Sequence, residues 1–133
     1  MQIKEEFQNL FKQYKDEKGK KNLTYVITSA DRQGNVNTNP HALSGNAIDL
    51  TLRVKGDYAP ISEYNALLMY MVEHWPYRAG LDNTPFETQA GFKGNVHIHV
   101  DLGLNRPPHQ ALPFFFIEDN GKFLRQVFSD SDL

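Results

Sequence analysis

The sequence predicts an α+β fold, a small antiparallel or mixed sheet flanked by helices. Two stretches carry apolar residues at helical spacing, and several short runs of alternating or β-branched residues lie between turn-rich segments. The chain has 133 residues, 40% hydrophobic, 12% aromatic and 23% charged. That is the composition of an ordinary globule at about the size of one domain. One domain over residues 1–133 is therefore expected.

The elements follow in order. Ile3, Phe7, Leu10, Phe11 and Tyr14 recur at helical spacing between charged residues, so residues 2–18 read as an amphipathic helix closed by Gly19. Leu23 to Ser29 is short, β-branched and bounded by polar residues, which reads as a strand. Residues 30–45 hold Gly34, Gly45, Pro40, Gln33, Asn35, Asn37 and Asn39, and read as one long shaped loop. Long loops inside a compact domain are uncommon unless they are functional. Ala47 to Val54 alternates as a second strand. Pro60 then opens a helix over 60–75 whose apolar face is Ile61, Tyr64, Leu67, Leu68, Met71, Val72 and Trp75. Residues 76–94, rich in Gly, Pro and Asn, read as irregular. Asn95 to Leu102 alternates strictly as a strand, and strands at 112–117 and 122–128 flank the hairpin signature Asp119-Asn120-Gly121.

Composition excludes several chemistries. There is no cysteine, hence no disulfide, thiolate zinc site, iron–sulfur cluster or cysteine nucleophile; metal chemistry falls to His, Asp and Glu. The net charge of -2 supplies no positive field for a phosphate backbone. Six lysines against four acids in residues 1–21 read as a solvated helix face followed by a basic turn. Met1-Gln2-Ile3-Lys4-Glu5-Glu6 does not resemble a signal peptide, and the longest apolar run, Ala111 to Ile117, is far below the ~20 residues of a membrane span. No nucleic-acid or membrane partner is expected.

The strand at 95–102 is the most informative stretch. Alternation puts His97, His99 and Asp101 on one face and Val96, Ile98, Val100 and Leu102 on the other. A His-x-His row alone is what a solvated sheet face carries. A second polar cluster, His41 and Asp49, changes the weight of the evidence. Asp is depleted in strands, yet Asp49 sits among Ala47, Ile48, Leu50 and Leu52, which read as buried. A buried carboxylate must be paired or bound to a metal. His41, Asp49 and one of His97 or His99 would make a three-ligand zinc site with a fourth position for water. The spare histidine would serve as general base or hydrogen-bond a tetrahedral intermediate.

Three segments then carry a resemblance: Thr28-Ser29-Ala30-Asp31-Arg32; Asn39-Pro40-His41 through Gly45-Asn46-Ala47-Ile48-Asp49; and Val96-His97-Ile98-His99-Val100-Asp101-Leu102-Gly103. Together they resemble the ordered signature of the zinc D-alanyl-D-alanine carboxypeptidase and L-alanyl-D-glutamate endopeptidase family, whose fold is also that of the Hedgehog signalling domain. The resemblance covers about residues 23–104. It implies the Hedgehog/DD-peptidase-like fold, zinc ligands at His41, Asp49 and His99, and a substrate-binding or transition-state arginine at Arg32. Three departures stand out: Asn39 where the pattern has Ser, one extra residue between His41 and Gly45, and Val96 where many members carry an acidic base. His97 is the available substitute for that base.

The expected function is thus a zinc metallopeptidase hydrolysing an amide bond in peptidoglycan stem peptides, with His97 and Arg32 catalytic and Zn2+ as cofactor. It is expected to be a monomer made in the cytoplasm without a signal peptide. It would act on the bacterial cell wall as a phage lytic enzyme, released by lysis or carried in the virion. The alternatives are a non-catalytic zinc module of the same fold and a metal-free α+β binding domain. Among the other residues, His74 reads as complementing a helix dipole, and His109 as a loop residue. Asp101 either orients a histidine through its second ring nitrogen or caps the strand. Phe114-Phe115-Phe116 reads as core and edge packing, and Tyr77, Phe86 and Phe92 as cleft-lining residues.

Overall fold

The computed structural model describes residues 2–30, 45–83, 86–87, 93–94, 96–104 and 110–133, with only the backbone of 86–87 and 93–94. The element order is α1 (Ile3–Lys18), β1 (Leu23–Ser29), β2 (Ala47–Val54), β3 (Asp57–Tyr58), α2 (Ile61–His74), β4 (Arg78–Asp82), β5 (Phe86–Glu87), β6 (Lys93–Gly94), β7 (His97–Asp101), β8 (Phe114–Asp119) and β9 (Lys122–Gln126), then a 3-10 turn at Asp130–Asp132. The α+β reading holds. The larger sheet is mixed and seven-stranded, in the order β1-β2-β7-β4-β8-β9 with β3 added beside β2; β5 and β6 pair separately.

Neighbours in the large sheet run antiparallel except β4 and β8, which are parallel. The β8–β9 hairpin turns at Asn120-Gly121, both with positive φ (53° and 78°). Two consecutive left-handed residues make the tight turn whose twist matches that of its flanking strands, and glycine enters this conformation without steric cost.

Both helices cover one face of the sheet. Ile3, Phe7, Leu10, Phe11 and Tyr14 of α1, with Tyr64, Leu67, Leu68 and Met71 of α2, join one apolar cluster. From the sheet come Ile48, Leu50, Leu52, Ile98, Val100, Ala79, Leu81, Phe115 and Ile117. At about 25 cal/mol per Å2 of apolar surface removed from water, this cluster is the main force holding the helices down. Two polar anchors set the fit: the backbone N–H of Leu52 donates to the Tyr64 hydroxyl at 2.9 Å, and Trp75 Nε1 donates to the Arg78 carbonyl at 3.1 Å. The second fixes where β4 begins. Among the described residues no helix is long and apolar enough to cross a membrane.

One expectation is overturned. The described part of residues 76–94 is not irregular: it contains β4, in the middle of the sheet, and the short β5–β6 pair. The histidine strand is shorter than expected, 97–101, and the last two strands span 114–119 and 122–126.

Candidate functional site

β7 lies between β2 and β4, and its register determines what meets what. Asp49 on β2 pairs with His99, His99 with Gly80 on β4, and Gly80 with Phe116 on β8. One row toward the end of β7 lie Ala47, Asp101, Arg78 and Phe114; in the opposite direction lie His97, Asp82 and Glu118. Strand alternation puts these positions on the face the helices do not cover. Asp49, the strand aspartate that needed explaining, is there because its alternation partners Ile48 and Leu50 fill the core.

His99 is held at both ends of its ring. Nδ1 lies 2.9 Å from Asp49 Oδ1, and Nε2 lies 2.7 Å from Asp101 Oδ2. Burial alone would push the imidazole down, but the hydrogen bonds and charges of the two carboxylates outweigh it and hold the pKa at about 9. Both ring nitrogens then donate, which is the imidazolium form.

Asp101 is the hub behind His99. Its side chain is only 1% exposed, and Oδ2 also accepts from Arg78 Nη1 at 2.9 Å. Oδ1 accepts from the Gly103 backbone N–H at 2.7 Å, so Asp101 both orients the histidine and caps the chain beyond the strand. Burial would raise this carboxyl, yet the His99 and Arg78 interactions keep it below its ordinary value. Arg78 is fixed in turn: Nε donates to Gln110 Oε1 at 3.0 Å, and the guanidinium lies 4.6 Å from the Phe116 ring centroid. The result is a ladder, Gln110–Arg78–Asp101–His99–Asp49, in which each member limits the rotation of the next.

Gly80 makes the ladder's foreground possible. A Cβ there would come within 2.3 Å of the Phe116 ring. That ring lies over the glycine with its centroid 6.1 Å from the His99 imidazole, forming an apolar wall. Phe114 is stacked against exposed Phe123 at 6.4 Å farther along the same face.

Of the residues singled out from sequence, Asp49 and His99 are brought into contact, and Asp101 supports them. His97 is one row away, with Nε2 at 3.9 Å from Asp82 Oδ2. Arg32, His41, His109 and Phe92 lie outside the described residues, as does the Phe86 side chain. Tyr77 does not line this face but packs edge-on against Trp75 at 5.1 Å, beside the core. Phe115 is a core residue, whereas Phe114 and Phe116 are buried on the site face. His74 ends α2, its ring tilted against Tyr70 with centroids 4.2 Å apart.

Sequence reasoning missed Arg78, Asp82, Phe116 and Glu118. A signal was present for the first two, because Arg78, Gly80 and Asp82 alternate with Ala79 and Leu81. The surrounding glycine, proline and asparagine concealed this period of two.

Chemically, the Asp49–His99 edge presents one carboxylate oxygen and one imidazole nitrogen to the same spot, shared at present by a proton. Those donor types also suit zinc, with Asp101 fixing the ligand ring from behind. The residues fit the metal at two positions; among the described residues no three His, Asp or Glu side chains form a metal-binding group. Compared with protein-family models, curated proteins and solved structures, the chain matches none.

Proposed function

We propose that this chain is a zinc metallopeptidase that hydrolyses an amide bond in the stem peptides of bacterial peptidoglycan, as a phage lytic enzyme would. The observation that carries the reading is the 2.9 Å contact between Asp49 Oδ1 and His99 Nδ1, backed by Asp101 on the other ring nitrogen. Asp49 and His99 would hold zinc together with His41. When bound, zinc supplies Lewis acidity that polarises the scissile carbonyl and acidifies the attacking water. The chain's own residues do the remainder. Asp101, kept ionised by Arg78, holds His99 in one orientation. Arg32 pairs with a substrate carboxylate or the developing oxyanion. His97 faces the same side and handles a proton or hydrogen-bonds the tetrahedral oxygen. Phe116 limits water on one flank.

The test begins with elemental analysis, expected to give about one zinc per chain, as three protein ligands and an open position predict. Mass spectrometry of muropeptides after incubation with the protein then names the bond cut. Asp49→Ala and His99→Ala should each lose both zinc and cleavage; retention of both properties in either variant refutes the assignment. A second reading has an observation of its own, since the two carboxylates around His99 already form a complete ion-pair set without a metal. As a metal-free binding domain, the chain would contain no zinc and show no melting shift on chelation. Bound zinc without cleavage of any wall type would identify a non-catalytic zinc module.

A further inference from the structure

Amide hydrolysis needs a group that removes a proton from water and delivers one to the departing nitrogen, and the site face holds a carboxyl pair outside the His99 ladder. On the peptidase reading above, we infer that Glu118 is this proton carrier, which leaves His97 to hydrogen-bond the tetrahedral oxygen.

The inference stands first on placement. Glu118 on β8 pairs with Asp82 on β4, and Asp82 pairs with His97 on β7. This row runs directly alongside Asp49, His99, Gly80 and Phe116. Two strand spacings of about 4.8 Å separate the backbones of β8 and β7, so a glutamate reaching inward along its own row passes Asp82 toward His97, beside the Phe116 ring that covers Gly80.

The second argument is the company Glu118 keeps. It is half-buried, and among the described residues no Lys, Arg or His forms an ion pair with it, unlike Asp101. The charged groups that face it are Asp82 and Arg78 on β4, His99 on β7 and Asp49 on β2, all on the site face. Burial first, and then the charge of Asp82, raises its carboxyl above the ordinary value. Asp82 is occupied differently, accepting from the Gly121 N–H at 3.4 Å and lying 3.9 Å from His97. A half-buried carboxyl with no cation paired to it among the described residues, beside a second carboxylate on the same sheet face, has the environment of an acid–base group.

The step balances. A water O–H bond breaks, its proton passes to a Glu118 oxygen, and the water oxygen bonds to the carbonyl carbon. An N–H of His97 donates to the resulting tetrahedral oxygen. That oxygen re-forms the carbonyl as the C–N bond breaks, and the Glu118 proton goes to the nitrogen. The products are a carboxylic acid and an amine, and Glu118 ends as it began.

The experiment compares the zinc-loaded full chain with Glu118→Gln, Asp82→Asn and His97→Gln on purified peptidoglycan across pH. Glu118→Gln should keep its zinc and KM while kcat falls by about 10²–10⁴-fold, and the acidic limb of the kcat/KM profile should disappear. Asp82→Asn should move that limb to lower pH, while His97→Gln slows the reaction but retains it. A Glu118→Gln variant within about tenfold of wild type, or one that retains the limb, overturns the inference. Independently of activity, the difference infrared spectrum of wild type against Glu118→Gln in the metal-free protein should show a carboxyl titrating above the ordinary range. Titration within that range also overturns it. Inactive wild type defeats the peptidase reading and this inference together, whereas active wild type with an unaffected Glu118→Gln defeats this inference alone.

Discussion

Raising the pH of the metal-free protein should unfasten His99. Its folded pKa of about 9 lies above the ordinary 6.5, so the imidazolium's bonds to Asp49 and Asp101 contribute fully below pH 6.5 and are lost as pH rises through 9. At 1.36 kcal/mol per unit, the difference amounts to about 3 kcal/mol. The lowered Asp101 carboxyl is the same contact seen from its acidic end and is not added again. The assay is urea denaturation in excess chelator at intervals between pH 6 and 9.5. This range stays below the ionisation of the buried tyrosines, which burial pushes up. With m of about 1–3 kcal/mol per M, the midpoint should fall by about 1–3 M urea across the window. Glu118, also raised, contributes a loss of stability of the same sign as pH rises, so the decisive control is His99→Gln. That variant should start less stable and lose most of the slope between pH 6.5 and 9. A wild-type midpoint that rises with pH, or an equal slope in both proteins, refutes the reasoning.

Three further outcomes are expected. Gly80→Ala forces its methyl against the Phe116 ring and should cost about 1–3 kcal/mol in denaturant melts, much of it recovered by adding Phe116→Leu; an unchanged melt would show that the ring moves aside freely. Arg78→Met leaves the Asp101 carboxylate, 1% exposed, with the His99 imidazolium as its remaining cation and should cost about 2 kcal/mol at pH 7, with Arg78→Lys intermediate because a lysine cannot also keep the Gln110 bond. Zinc at about a thousand times its Kd should stabilise wild type by about 4 kcal/mol, read as a rise in Tm that Asp49→Asn abolishes; an equal rise in that variant would place the metal elsewhere.

What the sequence disclosed depended on whether neighbours in space were also neighbours in pattern. β2 and α1 were readable because each carries a clean period, and Asp49 betrayed itself as a charge inside an apolar run. His99 and Asp101 followed from alternation in a single strand. β4 escaped because it has five residues with a glycine at the centre, between a proline-containing turn and an asparagine. With it went Arg78 and Asp82, whose roles exist only once β4 is set between β7 and β8. Phe116 and Glu118 were invisible for a related reason. Four apolar residues in a row, Phe114 to Ile117, do not announce which of them face the core. The choice between His97 and His99 was likewise undecidable from alternation, since both share a face. In the sheet their neighbours differ: Asp49 and Asp101 flank His99, and Asp82 lies nearest His97.

The seat of β7 between β2 and β4 has a consequence for how the protein acquires its site. Asp49 and His99 are separated by 50 positions in the chain, and Arg78 by 23 from Asp101. Neither pair can form in a local fragment. Loop closure must be achieved first, and the central strands must find their register before either pair exists. The site therefore matures only with long-range strand pairing, and any ligand held by the Asp49–His99 edge would bind only chains in which β2 and β7 are already in register.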